Sequence, residues 1–415
     1  MGSKFTAMSV VFLILTVFTV SVASVFNHPL LVYTAVFMVT SNVALFVWAH
    51  TAVRTLEIER LTPKFGVAGQ PLDVTVKLRN KGHATRFGLL GFDLHSRLTP
   101  GQDYSPVAFL EAQADSVVES GYQVAPPKRG QYRLGPFYLY GGDPFGFYKS
   151  WNKFERFTDV LVLPCPVEYK IGRPRSLSRL AREELETLPV QGQSLEFLGV
   201  REYRQGEPPK NIHWRTSARL GKLISRQYEK NVTASVSVLL MAEDGMTIGT
   251  PVDSPLEYSI TLIASLAYAT TREPYRFHYL AILGERSEHH DGSGPRFYQE
   301  LAIQLARLAG VGRTDWGLAR RLIINHLPRH SSLVVFVAEL TTATREELNK
   351  LGTHFRQITV VTFDRSSFER GQVAASSLGL PGRGYRVITV GFQDDLRGVL
   401  GRIFSRPAAK RAVSA

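Results

Sequence analysis

Two apolar runs without a single Asp, Glu, Lys or Arg stand back to back near the start of the chain, and they constrain everything after them. Residues 5–26 hold thirteen Val, Leu, Ile or Phe side chains. At about −0.3 to −0.6 kcal/mol each on an insertion scale, these contribute roughly −4 to −8 kcal/mol, enough to carry the interspersed Ser and Thr. Residues 30–53 form the second run, with Tyr33 near one end and Trp48 near the other, where aromatic belts belong. The connector Asn27-His28-Pro29 has room only for a tight turn, and its proline ends the first helix. The expectation is a two-helix transmembrane hairpin over residues 1–53, with spans of about 5–26 and 30–53. A cleavable signal peptide competes through the small-residue site Val22-Ala23-Ser24. Against it stand the thin basic lead of Lys4 and the length of the run.

Loop charge sets the orientation. The turn between the runs has no Lys or Arg, whereas Lys4, Arg54, Arg60 and Lys64 flank the hairpin. The positive-inside rule then places both ends, and the soluble part with them, in the cytoplasm, with the hairpin in the inner (plasma) membrane. The formal net charge is +13, and Lys4 is the one Lys or Arg before Arg54, so the excess belongs to the soluble part. It favours anionic partners, the nearest being membrane lipids of the cytoplasmic leaflet. The basic residues are scattered and not interleaved with aromatics, which argues against nucleic acid. The single cysteine, Cys165, sits between two prolines and excludes an intramolecular disulfide.

Over residues 54–166 the pattern turns to alternation. Residues 73–79 alternate strictly and are followed by the turn Asn80-Lys81-Gly82; 87–94, 116–124, 131–140 and 159–163 are further strand candidates. Short strands at this spacing predict an all-β, immunoglobulin-like sandwich. Within it lie Arg129-Gly130-Gln131-Tyr132-Arg133-Leu134-Gly135-Pro136 and Asp143-Pro144-Phe145-Gly146-Phe147. The second reads as a turn in which Asp bonds its own backbone and the phenylalanines dock it.

The densest polar stretch lies in a connecting segment, 167–232. There Arg201, Tyr203, Arg204, Gly206, Glu207, Lys210, Trp214, Arg215 and Arg219 crowd into nineteen residues together with Glu202 and His213. Arginine forks can clamp the nearby carboxylates and stack on the rings, or form a pocket for a phosphate or an acidic partner residue. His213 has no Ser/Asp partner at a meaningful spacing, so a general-base role is not indicated. This stretch resembles the signature of domain-of-unknown-function family 58, the MoxR-associated bacterial proteins with a von Willebrand factor A-like domain. The family pattern lands on Arg201, Tyr203, Gly206, Ile212, Trp214, Ser217, Ala218 and Arg219, while Glu207 replaces an aspartate and Lys210 an arginine. The Arg129–Pro136 and Asp143–Phe147 runs and the hairpin resemble the family too. The resemblance implies a von Willebrand factor A-like domain and a MoxR-type AAA+ ATPase as partner.

Residues 233–405 alternate strand and helix, which predicts an α/β domain with a mostly parallel sheet. A basic tail, 406–415, completes a multidomain layout. Domains of the class implied by the resemblance often bind Mg²⁺ through Asp-x-Ser-x-Ser after the first strand. Here the equivalent stretch is Ala242-Glu243-Asp244-Gly245-Met246-Thr247, and no register gives that motif. Glu243, Asp244, Thr247 and Glu339 are the candidate ligands of an irregular site, and the preferred reading is a lost one with no cofactor. No P-loop, dinucleotide fingerprint, HExxH or GxSxG is present in a fitting context, and Gly292-Ser293-Gly294 reads as an exposed connector. The expectation is a non-enzymatic membrane scaffold or adaptor for envelope or complex assembly. The alternatives are a hydrolase built from Arg201, Glu207, His213 and Asp244, or a binder of anionic lipid or envelope glycan.

Overall fold

A computed structural model describes residues 2–99, 101–169, 197–204, 209–228, 235–272, 275–309, 312–313, 315–329, 331–373, 377–378 and 385–404. The chain forms two compact units. One is Met1–Pro166 with Thr250–Val252 and Gln299–Ala309; the other is Val167–Gly249 with Asp253–Tyr298 and Gly310–Ala415.

In the first unit a short strand, β1 (Gly2–Phe5), precedes two helices, α1 (Ala7–Phe26) and α2 (Pro29–Ala52). Both helices are long and apolar enough to cross a membrane. Thr6 caps α1, and the helix ends at Asn27 in a left-handed conformation, φ 43°. Pro29 opens α2, where a missing N–H is harmless. The connector proline thus starts the second helix as well as ending the first. The buried positions of the pair are small or hydroxylic, among them Ser9, Thr16, Ala23, Ala35 and Ala49. Small residues let helices approach closely, and Asn42 Nδ2 adds a 2.7 Å hydrogen bond to Thr16 Oγ1. Larger side chains point away, with Phe18 63% and Val25 76% exposed, unlike those of a soluble core helix.

Strands β2 (Leu56–Leu61), β3 (Phe65–Val67), β4 (Leu72–Asn80), β5 (Arg86–Thr99), β6 (Gln102–Ala112), β7 (Ser116–Val124), β8 (Gly130–Gly142), β9 (Tyr148–Phe154) and β10 (Thr158–Leu163) follow. They build two sheets. One runs β1-β9-β8-β10-β3, with β5 on β8 and β6 on β5; the other is β2-β4-β7. Val76 and Leu78 of the smaller sheet share a core with Leu89, Phe109, Phe137 and Leu139 of the larger. Val53, just past the end of α2, is fully buried in that core. At Gly141 an added Cβ would lie 3.1 Å from Ala52 Cβ, so glycine lets the end of α2 pack against β8. β1 was not foreseen: four residues read as a flank of the hairpin pair antiparallel with β9, Gly2 opposite Trp151 and Phe5 opposite Tyr148.

The interior of this region also holds an ion pair that the sequence did not announce. Arg60 Nε and Nη2 grip Asp93 Oδ2 and Oδ1 at 2.8 and 2.5 Å, and both side chains are buried. Tyr122 donates to Asp93 at 2.8 Å, and burial beside that carboxylate pushes the Tyr122 hydroxyl well above its ordinary range. Arg60 Nη1 also donates to Thr158 Oγ1 and to the carbonyl of Arg156. The pair thereby ties β2 to β5, β7 and the start of β10. The Asp143 run is a turn: its carboxylate accepts from the N–H groups of Phe145 and Tyr148 at 2.9 and 2.5 Å.

In the second unit β11 (Phe197–Glu202), α3 (Trp214–Leu220) and β12 (Ile224–Tyr228) precede an α/β region. The latter consists of β13 (Ser235–Met241), α4 (Pro255–Thr270), β14 (Arg276–Leu283), β15 (Arg286–Gly292), α5 (Gly294–Arg307), α6 (Trp316–His326), β16 (Ser332–Phe336), α7 (Thr342–Leu351), β17 (Gln357–Phe363), α8 (Arg365–Arg370), β18 (Ser377–Leu378), β19 (Tyr385–Val390) and α9 (Leu396–Phe404). The sheet order is β15-β14-β13-β16-β17-β19-β18, parallel except for the two edges. Its central strands are largely apolar, as burial on both faces demands: Val238, Leu239, Leu240 and Met241 of β13 are all fully buried. Gly292-Ser293-Gly294 is not a free connector. Gly292 closes the edge strand β15 and Gly294 opens α5; the polar strand Arg-Ser-Glu-His-His-Asp-Gly gives no apolar alternation from which to read it.

Candidate functional site

The polar motif folds around one hydroxyl. β11 and β12 pair antiparallel, Glu202 opposite Ile224 and Arg201 opposite Ser225, and the chain between them returns through α3. Ser217 on α3 is buried; its Oγ accepts from the N–H of Ile224 at 2.8 Å and donates to the carbonyl of His213 at 3.1 Å. The N–H of His213 in turn bonds the carbonyl of Ile224 at 2.7 Å, and Tyr203 N–H bonds Leu223 O at 2.9 Å. His213 caps the helix, Nδ1 accepting from Thr216 N–H at 3.2 Å. That occupies the nitrogen a general base would use, so His213 has a local structural task. Gly221 ends the helix in the left-handed region, φ 66°, which suits a residue without a Cβ.

The result is a small, internally bonded platform with charge outside. Arg215 and Arg219, one helical turn apart, are exposed, as are Arg201, Arg204 and Lys210. Trp214 begins the helix 64% exposed, and Leu220 and Leu223 beside the turn are about half exposed. Tyr203 is half-buried, while Gly206 and Glu207 lie outside the described residues. Among the described residues, no arginine holds the Glu202 carboxylate as the clamp would. Lys222 pairs with it across the two strands, and this contact holds the Glu202 carboxyl below its ordinary range. Sequence reasoning passed over Lys222, and placed Ser217 in the family pattern without giving it a role. The signal available for Ser217 was its place one turn after the capping His213.

The metal candidates gather elsewhere. Glu243, Asp244 and Thr247 follow β13, and Glu339 follows β16. β13 and β16 are adjacent parallel strands whose onward connections leave in opposite directions along the sheet. This is the topological switch point, where open α/β sheets place ligands. Burial, and after it the Asp244 charge, push the Glu243 carboxyl up. Thr247 Oγ1 is turned back to the carbonyl of Asp244 at 3.2 Å. Among the described residues no group of three or more His, Cys, Asp or Glu is arranged to hold a metal ion.

Residues 199–378 match the profile described as "Protein of unknown function DUF58". The chain carries a DUF58 region. The matched stretch takes in the Ser217 platform and the sheet up to β18. No curated protein matches the chain in sequence. Solved structures offer faint likenesses. The CARDB domain of a Pyrococcus furiosus protein is 15% identical, with 26% of this chain and 87% of that one covered and a TM-score of 0.20. Proximal thread matrix protein 1 of the mussel byssus is 10% identical, with 41% and 45% covered and a TM-score of 0.28. A beta-glucosidase from Listeria innocua is 13% identical, with 26% and 16% covered and a TM-score of 0.18. Similarity this weak carries no weight for fold or function.

Proposed function

We propose that this DUF58 protein is a membrane-anchored, non-enzymatic scaffold whose platform docks a protein partner. The observation that carries the reading is Trp214, a large ring left mostly in solvent on the same short helix as the exposed Arg215 and Arg219, a helix fixed from beneath by Ser217. Exposed tryptophan and arginine on a rigid element are the side chains that dominate binding hot spots, and the arginine forks suit acidic groups on the partner. The candidate partner is a MoxR-type AAA+ ATPase, with the hairpin in the inner membrane and the platform in the cytoplasm, in the service of envelope or complex assembly. We read the two-sheet region as immunoglobulin-like and the α/β region as von Willebrand factor A-like. The antiparallel edges β15 and β18 on an otherwise parallel doubly wound sheet support the latter. A hydrolase around Arg201, Glu207, His213 and Asp244 draws no support from His213, whose Nδ1 is taken up by its capping bond.

The test is direct binding of a purified MoxR-type ATPase to the full-length protein in nanodiscs. The wild type should bind, and a Trp214→Ala/Arg219→Ala variant with an unchanged melting profile should lose most of that affinity. Equal binding by both forms would remove the platform from the docking role. No binding by the wild type would remove the ATPase as partner.

A further inference from the structure

Strand β5 wears large apolar side chains on its outer face. Asp93 and His95 point into the interior, where each is at most 1% exposed. Leu90 and Phe92, on the other parity, face out, and so does Phe87 beyond the left-handed kink at Gly88. Polar-in, apolar-out alternation over 90–95 is the pattern of strands that meet lipid rather than water. Phe87, Leu90 and Phe92 line a groove of about 880 Å³ whose other walls include Tyr140, Pro144 and Trp48 of α2. The groove therefore opens beside the base of the apolar hairpin.

The neighbouring turn, Asp143 to Phe147, has a matching design. Its one carboxylate is buried and satisfied by two backbone N–H groups, and at its tip Phe145 is 71% exposed. Thr6, the cap of α1, donates to the carbonyl of Phe147 at 2.6 Å and to that of Gly146 at 3.2 Å. The Phe147 ring lies 4.8 Å from Phe12. Tyr148, next in sequence, donates to Asn42 Oδ1 of α2 at 2.7 Å and packs its ring on Phe46. The turn is thus bolted to the first turns of α1 and the second half of α2.

Helix length converts this into a depth. The 20 residues of α1 rise about 30 Å, which equals the hydrocarbon thickness of a bilayer. A spanning α1 has no turn to spare, so Thr6 lies at the bilayer surface and Phe12 roughly 8 Å inside it. Met8 and Val11, 64% and 65% exposed, extend the apolar surface of α1 down to the level of the turn. Arg54 and Lys149, both exposed, stand at the same base, where long cationic side chains reach phosphates.

Resting on the membrane reading of the hairpin, we infer that the Asp143–Phe147 turn is a lipid-inserted wedge. Phe145 and Phe147 sit among acyl chains, and the groove beside Trp48 accepts an acyl chain of the same leaflet. The two-sheet region is then seated on the bilayer, not carried above it on a free tether.

The experiment uses the full-length protein in liposomes containing phosphatidylcholine brominated on its acyl chains. One label of an environment-sensitive fluorophore is placed by Phe145→Cys, Phe18→Cys or Gln70→Cys in a Cys165→Ser background. Gln70 is an exposed turn residue at the opposite end of β4 from the hairpin. The expected result is strong bromine quenching at positions 18 and 145 and none at 70. Quenching at 18 with none at 145 overturns the wedge and leaves the spanning hairpin standing. No quenching at 18 removes the spanning hairpin itself, and the wedge with it. Quenching at all three positions also overturns the wedge, because the region would then lie on the membrane without preference for the turn.

Discussion

The two sheet regions both have apolar cores but differ in what they bury beside them. The α/β region is filled by strands apolar on both faces, and its centre is Leu239, Leu240, Val335 and Val360, all fully buried. The two-sheet region buries a bidentate ion pair, Arg60–Asp93, with Tyr122 on the same carboxylate. An apolar core gains from each methylene wherever it sits, whereas a buried ion pair is strong only while every partner is present. The first region should therefore tolerate volume-conserving changes, and the second should fail sharply at single positions.

The largest expected effect follows directly. Asp93→Ala strands the Arg60 guanidinium in the core and should cost about 3–5 kcal/mol, whereas Arg60→Met/Asp93→Leu, which removes both charges, should cost clearly less. Urea unfolding of the purified variants in detergent measures both, and equal losses would show that the pair behaves like ordinary packing. Next is Leu239→Ala at the centre of the parallel sheet, at about 2–4 kcal/mol, with Leu239→Met expected below about 1.5 kcal/mol. A comparable loss for the methionine variant would make this core as unforgiving as the other.

The difference also explains what could be read in advance. The parallel strands were legible because burial on both faces writes a largely apolar run, unbroken in Leu333 to Val337 and interrupted only by Ser237 in Val236 to Met241. The edges β15 and β18 were not, since an edge strand gains its place from one neighbour's hydrogen bonds and needs no apolar pattern. In β5 the alternation was legible but its sense was not. Alternation alone turns Leu90 and Phe92 inward; the structure turns Asp93 and His95 inward because Arg60, Tyr122 and Ser105 wait there as partners. Partners from three other strands are beyond any local window. The platform motif stood out as a polar cluster, yet its hub Ser217 and the Lys222–Glu202 pair depend on the register of β11 on β12, which no single strand encodes.

A smaller effect tests the platform. Ser217→Ala leaves the Ile224 N–H without its acceptor and should cost about 1–2 kcal/mol locally. Hydrogen exchange at the Ile224 amide should accelerate accordingly, with the α/β strands unaffected. If that amide stays protected, β11 and β12 hold without the hub.

The smallest effect is acidic sensitivity. Burial holds His95 in the two-sheet region and His278 and His289 in the α/β region below their ordinary value of 6.5. A histidine with a depressed folded-state pKa binds fewer protons folded than unfolded, so its contribution to stability is complete above that ordinary value and declines as pH falls below it. Both regions should soften on acidification, and His95→Gln should flatten the decline in the two-sheet region alone. Melting temperatures between about pH 7.5 and about pH 5 would decide it, and an unaltered slope in that variant would assign the acid response elsewhere.

The strand that precedes the hairpin has a consequence for how such a chain is made. β1 leaves the ribosome before the two helices, but β9, its partner, is synthesised after them and after the strands β2 to β8. Closing that pairing bridges a loop of well over a hundred residues, an entropic cost met late in folding. Residues 2–5 must therefore stay unpaired until β9 is made, and they become the final stitch of a sheet begun without them. A bulky fusion at the amino terminus would block that stitch after every other element had formed.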